Sequence, residues 1–376
     1  MTTVVVPTET RPGERRVALV PASVARLTAV GADVVVQAGA GERAHFRDED
    51  YRDAGASIAT DDSLGSADVV FGVNSLGVEQ LERLRAGAVV ASFLAPTGSL
   101  DKVAAARDQQ VTWLSMELVP RISRAQTMDA LSSQALVAGY RCALIAAERL
   151  PKFFPLLMTA AGTVKPAQVV VLGAGVAGLQ AIATAKRLGA VVQAYDVRAA
   201  AADEIRSMGA KFIELDLDSL EGAGGYAREM SDDRAARQRE LLTPFIAAAD
   251  AVITTAAVPG RRAPMLVTRE MVETMGTGSV VVDLAAETGG NVEGSVAGED
   301  VVIGGATVWG GLNVPAQMPV AASTLYSANL VALSQLFLGA EGIGLDFDDE
   351  IIDGACVVHD GAVRFEAARE ALEATN

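Results

Sequence analysis

The chain has 376 residues, half of them hydrophobic, and a formal net charge of −16. Such a length and apolar content suffice for about two domains with large cores and exclude a disordered or fibrous protein. The acidity, with no dense basic run, speaks against nucleic acid as a partner, and two isolated cysteines, Cys142 and Cys356, have no metal-ligand spacing and fit a reducing compartment.

The opening MTTVVVPTETRPGERR has no apolar segment long enough for a secretory signal. Five strand-like runs follow, Thr3 to Val6, Asp33 to Gln37, Asp68 to Val73, Ala88 to Leu94 and Val111 to Met116, separated by helix-like or loop-like segments. That alternation predicts α/β structure on a parallel sheet. Pro21 suits the first turn of a helix running to about Val30, and Gly31 suits its end. The polar run PRISRAQTMDALSSQ, Pro120 to Gln134, then leads into a helix predicted over Asp129 to Leu150 and stopped by Pro151.

Arg121, Gln126, Asp129, Ser132 and Ser133 in that run supply a cation, an amide, a carboxylate and hydroxyls, enough to orient a nicotinamide and its ribose. The same residues admit a purely local reading. Ser123 to Gln126 has capping-box spacing, and Thr127 is placed to cap the following helix.

From Val169 to Arg198 the chain reads VVVLGAGVAGLQAIATAKRLGAVVQAYDVR. Gly173, Gly175 and Gly178 fall at the three positions of the dinucleotide fingerprint: a tight turn, backbone approach to a pyrophosphate, and close helix packing. Amides at the N-terminus of the helix that follows would face the phosphates. Asp196, at the end of the next strand, would accept from both ribose hydroxyls and repel a 2′-phosphate. Arg198 pulls the other way, since an arginine there can clamp such a phosphate, but Asp196 holds the deciding position and favours NAD(H) over NADP(H).

Glu221 to Arg234, EGAGGYAREMSDDR, has the glycine and charge content of a surface loop, though an inert insertion would look the same. Further strands are predicted at Lys211 to Leu215, Ala251 to Thr255, Ser279 to Leu284 and Val301 to Ile303. Val301 to Ala340 carries no charge, yet its glycines, prolines and interspersed Ser, Thr, Asn and Gln read as a buried strand, a loop and a packed helix, Ala321 to Leu338, and not as a bilayer span. Cys356 to Phe365 reads as a hairpin turning at His359-Asp360-Gly361. The predicted architecture is two Rossmann-like, doubly wound, parallel-sheet domains: residues 1–128 with 315–376, a discontinuous domain completed by the tail, and residues 129–314, the nucleotide domain. Both histidines, His45 and His359, are expected at the surface, so no histidine is nominated for proton transfer.

At RPGERRVAL, MELVPRISRAQTMDALSSQ, MTAAGTVKPAQVVVLGAGVAGLQAIATAKRLGA, GGYAREM, ITTAAVPG and DLAAETGGN the sequence resembles the NAD(H)-binding alpha subunits of proton-translocating NAD(P) transhydrogenases. The resemblance implies a homodimeric subunit without a membrane span of its own. It would be cytoplasmic and held peripherally at the inner membrane through its partners, a proton-conducting membrane subunit and a separate NADP(H)-binding domain. Carried over by position, it places Arg121, Gln126, Thr127, Met128, Asp129 and Ser132 around the nicotinamide and its ribose. Val176 falls at the pyrophosphate turn, Asp196, Val197 and Arg198 at the adenosine ribose, Gly225 and Tyr226 in a closing loop, and Thr255 and Ala257 against the cofactor. One residue departs from the pattern: Gln317 stands where an arginine is expected.

Hydride transfer from C4 of NADH to C4 of NADP+ exchanges no proton at the reacting carbons, so proximity and orientation suffice. A rival reading is an alanine dehydrogenase-like enzyme, whose lysine and histidine would fall at Asn74 and Ala95 here, although Arg16 is retained. A second rival is a non-enzymatic NAD-binding sensor, which has no need of the crossover segment.

Overall fold

The computed structural model describes residues 1–60, 63–217, 231–257 and 260–375. The chain divides into two compact units, Met1–Gln134 with Ala316–Asn376, and Ala135–Pro315. The first division falls inside the helix Ala130–Arg149.

The first unit is built on an eight-stranded sheet. Six parallel strands, Thr2–Val6, Ala32–Gln37, Ser57–Ala59, Val69–Phe71, Val89–Ser92 and Thr112–Ser115, lie in the spatial order 3-2-1-4-5-6. Valine-rich runs such as Val4, Val5 and Val6 or Val69 and Val70 are buried throughout, as expected when helices cover both faces of a sheet. The helix Pro21–Thr28 has its proline in the first turn, and Gly31, at φ +85°, closes it by donating to the Thr28 carbonyl at 3.0 Å.

The tail then returns. Cys356–His359 adds to Thr112–Ser115 and pairs with Ala362–Val363, both antiparallel, through a turn in which Asp360 and Gly361 take φ +47° and +72°. The predicted hairpin thus completes the first unit and makes its sheet mixed at that edge. A strand reached by a two-residue turn can only run back against its neighbour.

The second unit carries a seven-stranded sheet in the order Lys211–Phe212, Val191–Tyr195, Gln168–Leu172, Ala251–Thr254, Val280–Asp283, Ala306–Gly310, Asp300–Ile303. All neighbours are parallel except the last pair. The start of the charge-free stretch thus holds two strands, Asp300–Ile303 and Ala306–Gly310, where one was expected. Gly304, at φ +59°, and Gly305 join them in a tight turn, and a Cβ at Gly305 would lie 2.9 Å from Thr277.

The helix that follows is Pro319–Ser334, in the first unit, with most of its residues buried. Its sixteen residues are short for a bilayer. Among the described residues one helix, Ala130–Arg149, is long and apolar enough to cross a membrane by length and composition, and half of that stretch is buried inside the protein. A small hairpin, Leu157–Thr159 with Gly162–Val164, has no counterpart among the predicted elements.

Candidate functional site

In the second unit the strand order reverses between Gln168–Leu172 and Ala251–Thr254, and ligands of open α/β sheets bind beyond the carboxyl ends of the strands at such a point. Both chain segments leaving these strands bear predicted residues. Gly173, at φ +96°, turns the chain, and a Cβ there would lie 2.9 Å from Thr255 Oγ1. Gly178 packs its helix on that turn so closely that a Cβ would lie 1.9 Å from the Gly173 carbonyl oxygen.

Gly175 differs from both. It precedes the helix Val176–Arg187, and a Cβ on it would meet nothing within 4 Å. Its missing side chain leaves open space above the first helical turn, which has no side-chain cap and no acidic residue. Unfilled amides and the positive end of the helix dipole face that space, so the turn fits a pyrophosphate.

Asp196 Oδ2 accepts from the Ala174 amide at 2.7 Å, tying the end of the second strand to the glycine turn. Arg198 folds back on the same carboxylate, with Nε 2.9 Å from Oδ1 and Nη2 3.1 Å from Oδ2, and also donates to the Ala174 carbonyl at 3.2 Å. The tension between these two residues resolves into an ion pair with the guanidinium committed to the carboxylate. Val197 packs against the neighbouring apolar cluster.

Thr255 Oγ1 donates to the Gly173 carbonyl at 3.0 Å, and Ala257, two residues on, is exposed. Gly225 and Tyr226 lie outside the described residues. Asp283 and Asn291 were not singled out by chemistry, only within the motif DLAAETGGN. Asp283 is fully buried and accepts from Thr254 Oγ1 and from the amides of Ala285, Asn291 and Val292. Asn291 Nδ2 donates to the Ala256 carbonyl at 2.8 Å, fixing the segment between Thr255 and Ala257.

The crossover residues belong to the first unit. Ser123–Met128 forms a 3-10 helix whose Ala125 and Met128 are buried in the core, while Arg121, Gln126 and Thr127 are exposed. The predicted caps do not form. Ile122 precedes the 3-10 turn without a side-chain cap, and the long helix is capped by Asp129, not Thr127. Asp129 Oδ1 accepts from the Ser132 amide at 2.8 Å and Oδ2 from the Ser132 hydroxyl at 2.6 Å. A carboxylate with two oxygens outcompetes a hydroxyl because it satisfies both groups of Ser132 at once. Arg124 forms a two-pronged pair with Asp349, and the guanidinium holds that carboxyl down at about 2.

Arg16 is buried and its fork is filled from within. Nε and Nη2 donate to Glu14 at 2.8 and 2.7 Å, and Nη1 donates to Gln134 Oε1 at 2.8 Å. Asn74 donates from Nδ2 to both Glu14, at 3.0 Å, and Glu9, at 2.8 Å. Burial pushes the Glu14 carboxyl up, but the Arg16 hydrogen bonds and charge, with Asn74, outweigh it and hold the group at about 2. Burial raises the Glu9 carboxyl, against the hydrogen bonds it accepts from Asn74 and Val73.

His45 is exposed, as expected. His359 corrects the surface reading: it is half-buried, 2.9 Å from Thr112 Oγ1, with its ring 4.5 Å from Phe347. Gln317 ends the short helix Val314–Gln317 and is half-buried.

The chain is similar to known proteins in both sequence and fold. Residues 5–138 match the family model of the alanine dehydrogenase/PNT N-terminal domain, and residues 142–366 that of the C-terminal domain. An NAD(P) transhydrogenase subunit alpha polypeptide of Rhodospirillum rubrum is 43% identical over 372 residues, covering 96% of this chain and 97% of that protein. Alanine dehydrogenase of Mycobacterium tuberculosis is 34% identical over 295 residues, covering 77% of this chain and 74% of the enzyme. The crystal structure of transhydrogenase from Sinorhizobium meliloti superposes with a TM-score of 0.88 at 44% identity, over 96% of this chain and 99% of that one. The chain thus belongs to the alanine dehydrogenase/PNT family, and within it is a relative of the NAD(P) transhydrogenase alpha subunits.

Proposed function

We propose that the chain is the NAD(H)-binding subunit of a proton-translocating transhydrogenase. Hydride passes directly between NADH held here and NADP+ held on a partner subunit or domain, coupled to proton movement in a membrane partner. The observation that carries the reading is the crossover turn. It displays Arg121, Gln126 and Thr127 outward on the buried anchors Ala125 and Met128, offering orienting groups without a strong base.

NADH supplies the hydride at C4 of its nicotinamide. Gly175 and Val176 would hold the pyrophosphate on the turn that Gly173 and Gly178 shape, and Asp196, Val197 and Arg198 would hold the adenosine ribose. Thr255 and Ala257 would lie against the cofactor. Arg121, Gln126 and Asp129 orient the nicotinamide, with Thr127, Met128 and Ser132 beside its ribose. Water must be kept from the meeting rings.

Self-association as a homodimer is supported by the run of partly exposed apolar side chains Leu136, Tyr140, Phe153, Leu156 and Met158. The membrane contact is made through the partners, which places the subunit at the cytoplasmic face of the inner membrane.

Mixed with an NADP(H)-binding transhydrogenase component, the protein is expected to pass hydride from NADH to thio-NADP+. Gln126→Ala should slow that transfer about 100-fold with less than about threefold change in NADH affinity, the pattern of lost orientation. Absence of transfer at saturating nucleotide would overturn the reading. An alanine dehydrogenase-like activity is disfavoured by Arg16, because a substrate carboxylate would have to displace Glu14, and by Asn74 and Ala95 at the expected lysine and histidine. Incubation with NADH, pyruvate and ammonia should therefore consume no NADH; steady turnover would reverse the choice between the two.

A further inference from the structure

We infer that Asn329 is a positioning residue for hydride transfer, clamping the crossover turn from the helix Pro319–Ser334. The inference rests on the proposed role of Gln126 and Asp129. Asn329 is 7% exposed in a helix otherwise made of small and apolar residues. Asparagine is a poor helix former and costly to bury unless its amide is satisfied. Here both ends are used on one target: Nδ2 donates to the Thr127 carbonyl at 2.8 Å, and Oδ1 accepts from the Ser133 hydroxyl at 2.7 Å.

Thr127 and Ser133 flank Asp129. The turn is therefore closed twice, by the Asp129 cap on Ser132 from within and by Asn329 from without. The helix behind Asn329 is itself fixed. The Ala322 carbonyl accepts from Gln134 Nε2 at 3.1 Å, and the hydroxyls of Ser323 and Ser327 accept from the Val17 and Val20 amides.

Holding the Thr127 carbonyl fixes the plane of the peptide that follows it. That plane lies between Gln126 and Asp129 in sequence, so its rotation re-aims both side chains. A displacement of about 1 Å at an orienting group is enough to cost a hundredfold in rate.

The test uses the full chain mixed with an NADP(H)-binding transhydrogenase component, reading NADH affinity by fluorescence, single-turnover hydride transfer to thio-NADP+, and the unfolding midpoint. Asn329→Asp keeps the acceptor for Ser133 but sets a carboxylate oxygen against the Thr127 carbonyl. It should slow transfer about 10- to 100-fold while NADH affinity changes less than about threefold. Ser133→Ala removes one half-buried hydroxyl and should slow transfer about three- to tenfold; it carries the test if Asn329→Asp does not fold. Combining Asn329→Asp with Asp129→Asn should be no slower than the worse single variant, because both act on one turn.

Transfer within twofold of the parent in Asn329→Asp, or in Ser133→Ala where Asn329→Asp does not fold, overturns the clamp. So does a loss of rate matched by an equal loss of affinity. Gln126→Ala separates the two levels. If it transfers at the parent rate, the role of the turn itself is wrong; if it is slow while the Asn329 and Ser133 variants are normal, only the clamp is.

Discussion

Replacing Gly178 with alanine is expected to abolish measurable NADH binding and to lower the unfolding midpoint by about 5–10 °C. The added Cβ would lie 1.9 Å from the Gly173 carbonyl oxygen and 2.9 Å from Thr255 Oγ1, and backbone cannot step aside as a flexible side chain can. The helix must lift off the turn, at a cost of the size seen for overpacked cores, about 1–3 kcal/mol or more. Gly175→Ala is the matched control. Its Cβ meets nothing within 4 Å, so the midpoint should stay within about 2 °C, while NADH affinity falls at least about 100-fold because the methyl occupies the phosphate's space. Calorimetry and NADH fluorescence titration read the two effects separately. Equal behaviour of the two variants would show that the turn does not divide packing from binding in this way.

Arg16→Leu should destabilise the protein by about 3–5 kcal/mol at pH 7, because it strands the carboxylate of Glu14 in the interior. The pH dependence gives the sharper test. In the parent the folded Glu14 group lies at about 2, below its ordinary 4.5, so the pair's contribution is fully present above about pH 4.5 and is lost as pH falls towards 2. Without the guanidinium, burial raises the group, and the variant's penalty grows as pH rises through about 4.5. Urea unfolding at pH 7 and at pH 4 should therefore show a larger gap between parent and variant at the higher pH. Arg16→Leu combined with Glu14→Gln should recover part of the loss. A gap that is equal at both pH values would mean that the stranded charge is not the cause.

The glycine turn and Asp196 were legible because strand, turn, helix and terminal acid all fall within thirty consecutive residues. The parallel strands were legible for a related reason: a doubly covered strand is an unbroken apolar run, as at Val69–Phe71 or Val280–Asp283. Ala306–Gly310 was hidden because Gly304 and Gly305 read as a loop, and only the pairing with Asp300–Ile303 turns that loop into a hairpin.

Capping went to Asp129 and not to Thr127 because the choice depends on where the helix starts, which periodicity fixes only to within a few residues. The Glu14–Arg16–Asn74–Gln134 cluster joins residues as far as 118 apart. No local pattern announces such a cluster; it exists only once the sheet has brought the segments together. His359 looked exposed because it sits in a turn, yet Phe347 and Thr112 partly cover it.

The return of the tail to the first sheet sets an order of events during synthesis. Residues 135–315 form an uninterrupted unit that can fold as soon as it clears the ribosome, whereas the first 134 residues must wait for Asn329 and for the strand Cys356–His359. Synthesis of the intervening stretch takes about 10–40 s at ordinary elongation rates. During that interval Thr112–Ser115 has an unpaired edge, and the crossover turn has no clamp. The second unit is therefore the one built to be ready first, and a nascent chain should gain affinity for NADH in stages, its last element of order arriving with the strand Cys356–His359.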